Sequence, residues 1–213
     1  MNVTVQKVID ALRKNRMQAD YVSCKEEAVA LVKALIPAGS TVGTGGSRTL
    51  DETGVTDLLR SGDYTFFDRN NPALSSEEKA EMTAKSAMAD FYLCSSNAIT
   101  ESGELYNVDG FSNRVAAIAN GPKKVIMVVG INKIVSDLNA AVRRVKTIAA
   151  PLNTKRLNCD TYCQKAGVCM GLEGGMTDGC HSPARICCSY LVSAQQRVEN
   201  RIHVILVGES LGF

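Results

Sequence analysis

Six of the chain's eight cysteines, Cys159, Cys163, Cys169, Cys180, Cys187 and Cys188, fall within 30 residues. Thiolates held close together in a low-dielectric setting repel strongly, so a bound cation normally accompanies such a grouping. Four of them suffice for tetrahedral zinc or for a cubane iron–sulfur cluster. The spacing is Cys-x3-Cys-x5-Cys-x10-Cys-x6-Cys-Cys and contains no Cys-x2-Cys pair, so neither a zinc-ribbon nor a bacterial-ferredoxin pattern is met. An iron–sulfur cluster, a zinc ion and a redox-active thiol pair therefore all stay open, and density favours a metal centre over unliganded thiols. Cys187 and Cys188 are adjacent and do not easily aim both sulfurs at one ion, which leaves one of them spare.

Three other stretches carry groups suited to an anion. Gly43-Thr44-Gly45-Gly46-Ser47 lets backbone approach a ligand closely, and a helix starting after it would present unpaired N–H groups. The plain alternative is a tight turn in which Ser47 caps its own helix. Ser95 to Asn113 gathers amides and hydroxyls (Asn97, Thr100, Asn107) with three carboxylates, Glu101, Glu104 and Asp109. Any of these could serve as a general base if burial or a like charge raised its pKa. Asn113 and Arg114 follow, and an arginine can hold a carboxylate or phosphate through two parallel hydrogen bonds. A solvated hairpin turn is the competing reading for each carboxylate taken singly. Gly130-Ile131-Asn132-Lys133 adds one amide and one ammonium.

These stretches need elements to position them. Val5, Val8, Ile9 and Leu12 recur at helical spacing, as do Ala28, Val29, Val32, Leu35 and Ile36. A further helix is expected from Ser47 or Arg48 to Gly62. Ser75 and Glu78 form a capping box for a helix running to about Ala89. Another helix carries Ala140, Ala141, Val145 and Ile148 and ends before Pro151. Between the helices lie short apolar strands at 20–23, 40–43, 64–68, 91–94, 125–129 and 202–207. Helices alternating with strands that are apolar on both faces predict an α/β fold: a mainly parallel sheet with helices on both faces. Ligands on such sheets sit beyond the carboxyl ends of the strands, and the three polar stretches leave such ends, after Val42, Cys94 and Val129. One domain over 1–213 is expected, with 152–188 as a cysteine-rich excursion within it.

The 213 residues suit one domain, and 45% hydrophobic with 22% charged residues is ordinary globular usage. A net charge of +2 gives no electrostatic reason for nucleic acid as a partner. No apolar stretch is long enough to cross a bilayer, and the opening residues lack a signal-peptide core, so a cytoplasmic protein without membrane contact is expected. A homo-oligomer stays open.

Several ordered motifs together resemble the lactate-utilisation (LUD) domain family. They are Gly45-Gly46-Ser47 with Thr49-Leu50; Ser96-Asn97-Ala98-Ile99-Thr100-Glu101-x-Gly103-Glu104-Leu105; Asn107-x-Asp109-Gly110; Asn113-Arg114-Val115; and Gly130-x-Asn132-Lys133. Arg185-Ile186-Cys187 and the ending Val207-Gly208-Glu209-x-Leu211-Gly212-Phe213 agree. The resemblance implies a fold like the glucosamine-6-phosphate deaminase, ribose-5-phosphate isomerase and CoA-transferase superfamily. It also implies a role in oxidation of lactate to pyruvate beside iron–sulfur partner proteins, with a small anionic metabolite as ligand. Cys163, Cys169, Cys180 and Cys187 match the family's cysteines, with Cys159 a fifth candidate; Met170 to Gly179 reads as an insertion between them. An accessory electron-transfer or assembly subunit is the rival expectation, and a sugar-phosphate isomerase or CoA-transferase-like enzyme a second one.

Overall fold

The computed structural model describes residues 3–213. In chain order the elements are α1 (Val3–Lys14), β1 (Gln18–Val22), α2 (Lys25–Leu35), β2 (Thr41–Thr44), α3 (Arg48–Thr53), α4 (Val55–Arg60), β3 (Thr65–Phe67), α5 (Ser76–Ser86), β4 (Phe91–Cys94), β5 (Ala98–Thr100), β6 (Leu105–Asp109), α6 (Asn113–Ala119), β7 (Lys124–Gly130), β8 (Ile134–Val135), α7 (Leu138–Arg144), α8 (Ala150–Arg156), α9 (Tyr162–Ala166), β9 (Ser189–Ser193) and β10 (Ile202–Val207). A 3-10 turn (Ile131–Lys133) follows β7, and a π-helical turn (Val145–Ala149) joins α7 to α8.

Six strands form the main sheet in the order β1-β10-β7-β4-β2-β3, every neighbouring pair parallel. Side chains alternate across a strand, so each strand feeds two cores. Val125, Met127 and Val129 of β7 pack with Val5, Val8, Ile9 and Leu12 of α1 and Ile118 of α6. Ile126 and Val128 of the same strand pack with Val32 of α2, Leu50 of α3 and Leu59 of α4. Helices therefore cover both faces. Each fully buried Val or Leu contributes about 1.5–3 kcal/mol of hydrophobic free energy, which locks the strand register.

A second sheet, β8-β5-β6-β9, stands beside the first. Its β5–β6 hairpin is antiparallel and buried: Ile99 and Leu105 join the α1 core, while Ala98, Tyr106 and Val108 pack on Ala141, Val145 and Ala149. The expected polar loop from Ser95 to Asn113 is thus corrected to two strands, short enough to escape detection by periodicity. Two helix expectations change as well. The helix predicted from Ser47 to Gly62 breaks at Gly54, whose φ of +82° ends α3 and starts α4. Pro151 does not stop the helix before it, because the π turn widens the spiral there and Pro151 falls in the first turn of α8, where its missing N–H costs nothing. The cysteine-bearing excursion runs from α8 through α9 and a series of turns to β9. No described helix is long and apolar enough to cross a membrane.

Candidate functional site

Because β7, β4 and β2 are neighbours, the chain segments leaving their carboxyl ends emerge side by side. They open into one cleft of about 590 Å³. Gly46 and Ser47 line it from β2, Ser95, Ser96 and Asn97 from β4, and Lys133 from β7; Asp109 and Arg114 come from the hairpin and α6. Arg48, Thr49, Phe111, Asn153, Arg156, Arg185 and the terminal Phe213 complete much of the wall.

Lys133 is the most unusual member. It has only 3% exposure, although the sequence offers it simply as an ammonium suited to an anion, with no sign of its depth. Its Nζ donates to Thr49 Oγ1 at 2.8 Å and Ser95 Oγ at 3.1 Å. Burial pushes the amine down to about 7, and the positive charges of Arg144 and Arg114 push in the same direction, against Glu52.

Two arginines organise the cleft. Arg144 of α7 donates to the carbonyl of Asn97 at 2.6 Å and that of Asn132 at 3.3 Å, tying the β4 and β7 loops together. Burial holds its guanidinium down at about 10. Arg114 spends all its donors on protein acceptors: Asp109 Oδ1 at 2.7 Å, Asn97 Oδ1 at 2.9 Å, the carbonyls of Ser95 (2.9 Å) and Val108 (3.0 Å), and Asn107 Oδ1. Arg114 is therefore a positioning residue rather than the two-pronged anion clamp expected. Asp109 answers it from the cleft wall, its other oxygen accepting from Val115 N at 2.9 Å.

Several sequence-predicted residues lie away from the cleft. Gly43 serves close packing, since a Cβ there would fall 2.5 Å from Ser86 Cβ of α5. Gly45 faces the Tyr92 hydroxyl and Arg114. Ser47, by contrast, does line the cleft, and it also caps α3, accepting from Leu50 N at 3.3 Å; that helix is only six residues long, so its dipole is small. Asn107 is fully buried behind Arg114. Asn113 sits beside Arg69 and the Phe111 carbonyl. Asn132 accepts from Leu211 N at 3.1 Å and fastens the closing segment, as does Glu52 through Gly212 N. Thr100, Glu101 and Glu104 lie at the far turn of the hairpin; Glu101 pairs with Lys7 at 2.6 Å, and Thr100 bonds Glu104. Those two carboxylates are not placed to act as bases in the cleft.

The thiols divide between two places. Cys163, Cys169, Cys180 and Cys187 line a second, small cavity of about 30 Å³, walled by apolar atoms of Tyr106, Val142, Val145 and Ala150. Cys159 and Cys188 instead line the cleft, so Cys159 falls outside the four-thiol set. Burial pushes Cys187 up to about 12, and the neighbouring Cys163 and Cys169 add to the shift. Lys146, on the π turn, is buried and donates to the carbonyls of Gly175 (2.7 Å) and Gly171, fixing the inserted loop over the cavity. Arg185 secures the other side through the carbonyls of Cys187 (2.8 Å), Cys180 (2.9 Å) and Thr177 (2.6 Å). Arg185 and Ile186 line both cavities and form the partition between them.

Elsewhere, Cys94 is buried and its thiol is pushed up to about 12, an inert core group. Cys24, Glu26 and Glu209 bring three ligand-type atoms within 4.8 Å of one another at the start of α2. There Glu209 accepts from Lys25 N at 3.2 Å, and backbone hydrogen bonding holds Glu26 below the usual carboxylate range, so orphan N–H groups of the helix account for the grouping. Sequence reading missed Arg48, Thr49, Asn153, Arg156 and Phe213. Thr49 and Phe213 stand within the quoted family motifs, and the helical phase of Asn153 and Arg156, one turn apart, offered a further signal.

A crystal structure of a DUF162 family protein from Deinococcus radiodurans is similar in fold, with a TM-score of 0.50 and 19% identity over 96% of each chain. No curated protein matches the chain. The sequence model of the LUD domain matches residues 5–207, nearly the whole described length. The chain belongs to the LUD-domain family.

Proposed function

We infer that this protein binds a small anionic metabolite, a hydroxy or oxo acid, in the cleft, and contributes to the oxidation of lactate to pyruvate beside iron–sulfur partner proteins. One observation carries the reading: a cleft of about 590 Å³ over three adjacent strand ends is lined by Arg48, Arg114, Lys133, Arg156 and Arg185, with Asp109 the facing carboxylate and already held by Arg114. Such a wall favours a negative guest and, where water is thin, strengthens the attraction. Family membership supplies the lactate side of the proposal.

The four-thiol cavity supports a cysteine-bound metal centre. Single-ion zinc at a Zn–S distance of about 2.3 Å brings its sulfurs to about 3.8 Å of one another. Among the described residues no three of these sulfurs come within 4.8 Å of one another. That does not favour a preformed single-ion zinc site, and four thiols also match the ligand count of a polynuclear iron–sulfur cluster. Cys163, Cys169, Cys180 and Cys187 would hold it, and it would supply one-electron transfer.

Titration calorimetry with lactate, pyruvate and inorganic phosphate tests the cleft. Wild-type protein should bind at least one carboxylate, and Arg48→Ala with Arg156→Ala should weaken it about tenfold or more, an ordinary loss for charge-assisted bonds. Absence of binding by every probe would overturn the reading. The rival, an electron-transfer or assembly subunit, is favoured by the thiol cavity alone and predicts turnover only when a partner is added. An isomerase or CoA-transferase reading needs an essential loop carboxylate, and the positions of Glu101 and Glu104 do not favour it.

A further inference from the structure

A buried lysine with no counter-ion demands a physical account. Among the described residues no carboxylate oxygen lies within 4.0 Å of Lys133 Nζ. Its polar contacts are two hydroxyls, Thr49 Oγ1 and Ser95 Oγ, and Lys133 is among the residues that line the cleft. An ammonium so enclosed loses hydration without gaining a partner charge. The groups facing it are Arg144 of α7, Arg114 of α6, Glu52 of α3 and Cys94 of β4, and the cations prevail over Glu52. The result is an enclosed amine that gives up its proton far more readily than an exposed lysine. Lysines activated in this way, by desolvation and by a neighbouring cation, are the ones that attack carbonyl carbon.

A 2-oxo acid presents both features this arrangement answers: a carboxylate for the guanidiniums of the wall and an electrophilic carbonyl beside it. We propose that Lys133 forms an imine with the keto carbon of a 2-oxo acid held in the cleft. The proposal rests on the anion-binding reading of the cleft and names the chemistry of its ligand. The nitrogen lone pair adds to the keto carbon, and the carbonyl π pair moves to oxygen, which takes one of the amine protons. The carbinolamine then expels that oxygen as water with the second amine proton, while nitrogen and carbon form the double bond. One water leaves, and no electron is gained or lost. Ser95 and Thr49, already bonded to the nitrogen, are placed to relay both protons. The imine makes the adjacent C–H bonds acidic and holds the acid against exchange with solvent.

The test traps the imine on the intact wild-type chain. Pyruvate, glyoxylate and 2-oxoglutarate are each incubated with the protein, reduced with borohydride, and the modified peptides mapped by mass spectrometry. The expected result is a saturable, oxo-acid-dependent adduct on Lys133. It should form roughly a hundredfold faster than on exposed lysines, of whose amines only about one in a thousand is neutral at pH 7. Lactate, which lacks the carbonyl, should compete without being trapped, and Lys133→Arg should abolish the adduct. If calorimetry detects oxo-acid binding but borohydride leaves Lys133 unmodified at saturation, or marks all lysines alike, the imine is overturned and the anion cleft stands. If neither oxo acids nor lactate bind and no adduct forms, both readings fall.

Discussion

The cleft and the thiol cavity share the partition of Arg185 and Ile186, yet each handles charge differently. The cleft is wide and lined by arginines, of which Arg114 and Arg185 spend their donors on the protein while Arg48 and Arg156 keep some free. The thiol cavity is narrow, apolar and lined by four protonatable sulfurs; the two cations at its wall, Lys146 and Arg185, are turned onto backbone carbonyls. On the function proposed above, the first would receive an anion from solvent and the second would enclose a cation or cluster away from it. Loops from three strands build the first, so its parts are far apart in sequence. A single excursion supplies the four sulfurs of the second, which is why they crowd together in the chain.

The sharpest break between the two should come from cysteine substitutions. Serine at Cys163, Cys169, Cys180 or Cys187 should abolish bound iron and sulfide in anaerobically purified protein, whereas serine at Cys159 or Cys188 should leave both intact. Metal loss on changing the cleft pair would erase the distinction. Arg114→Ala comes next. It strands the Asp109 carboxylate, only 13% exposed, and frees Asn97, so unfolding in urea should show a loss of about 3–5 kcal/mol. A loss below 1 kcal/mol would mean that the network is slack.

Lys133 distinguishes the regions through pH. Its folded value near 7 lies below the ordinary 10.5, so between these limits the unfolded chain holds the extra proton. Stability should therefore rise with pH across that window, by up to about 1.4 kcal/mol per pH unit. Lys133→Met should be more stable than wild type near pH 6, and the advantage should shrink by pH 9; a constant difference would contradict the buried, ion-free setting. The smallest effect belongs to Glu101→Gln, which breaks a half-exposed pair with Lys7 and should cost about 0–1 kcal/mol while leaving ligand binding unchanged. A large binding defect there would place the hairpin turn in the site after all.

The frame of the cleft was legible because a parallel sheet fixes where ligands can go: once β2, β4 and β7 are recognised, Gly46, Asn97 and Lys133 must meet if the strands are adjacent. The four cysteines were legible through their density and the family pattern. Other features hid behind tertiary context. The hairpin strands have three and five residues and bury Thr100 and Asn107, so alternation gave no cue. Arg114 has the composition of a ligand clamp, and only its neighbours reveal that every donor is taken. The depth of Lys133 depends on the closing Leu211–Phe213 segment, folded over it from the other end of the chain; Gly212 approaches its nitrogen so closely that a Cβ would lie 3.3 Å away.

The π turn at Val145–Ala149 carries one residue more than an α-helix would use. Each helical residue advances the spiral by about 100°, so this single extra position sets the azimuth of everything after it. Excising it would rotate α8 by about that angle. Asn153 and Arg156 would swing off the cleft, while Ala150 and Thr154 would leave the thiol cavity they now border. Two chambers thus take their alignment from one surplus peptide unit, and shortening the spiral there would put both out of phase at a stroke.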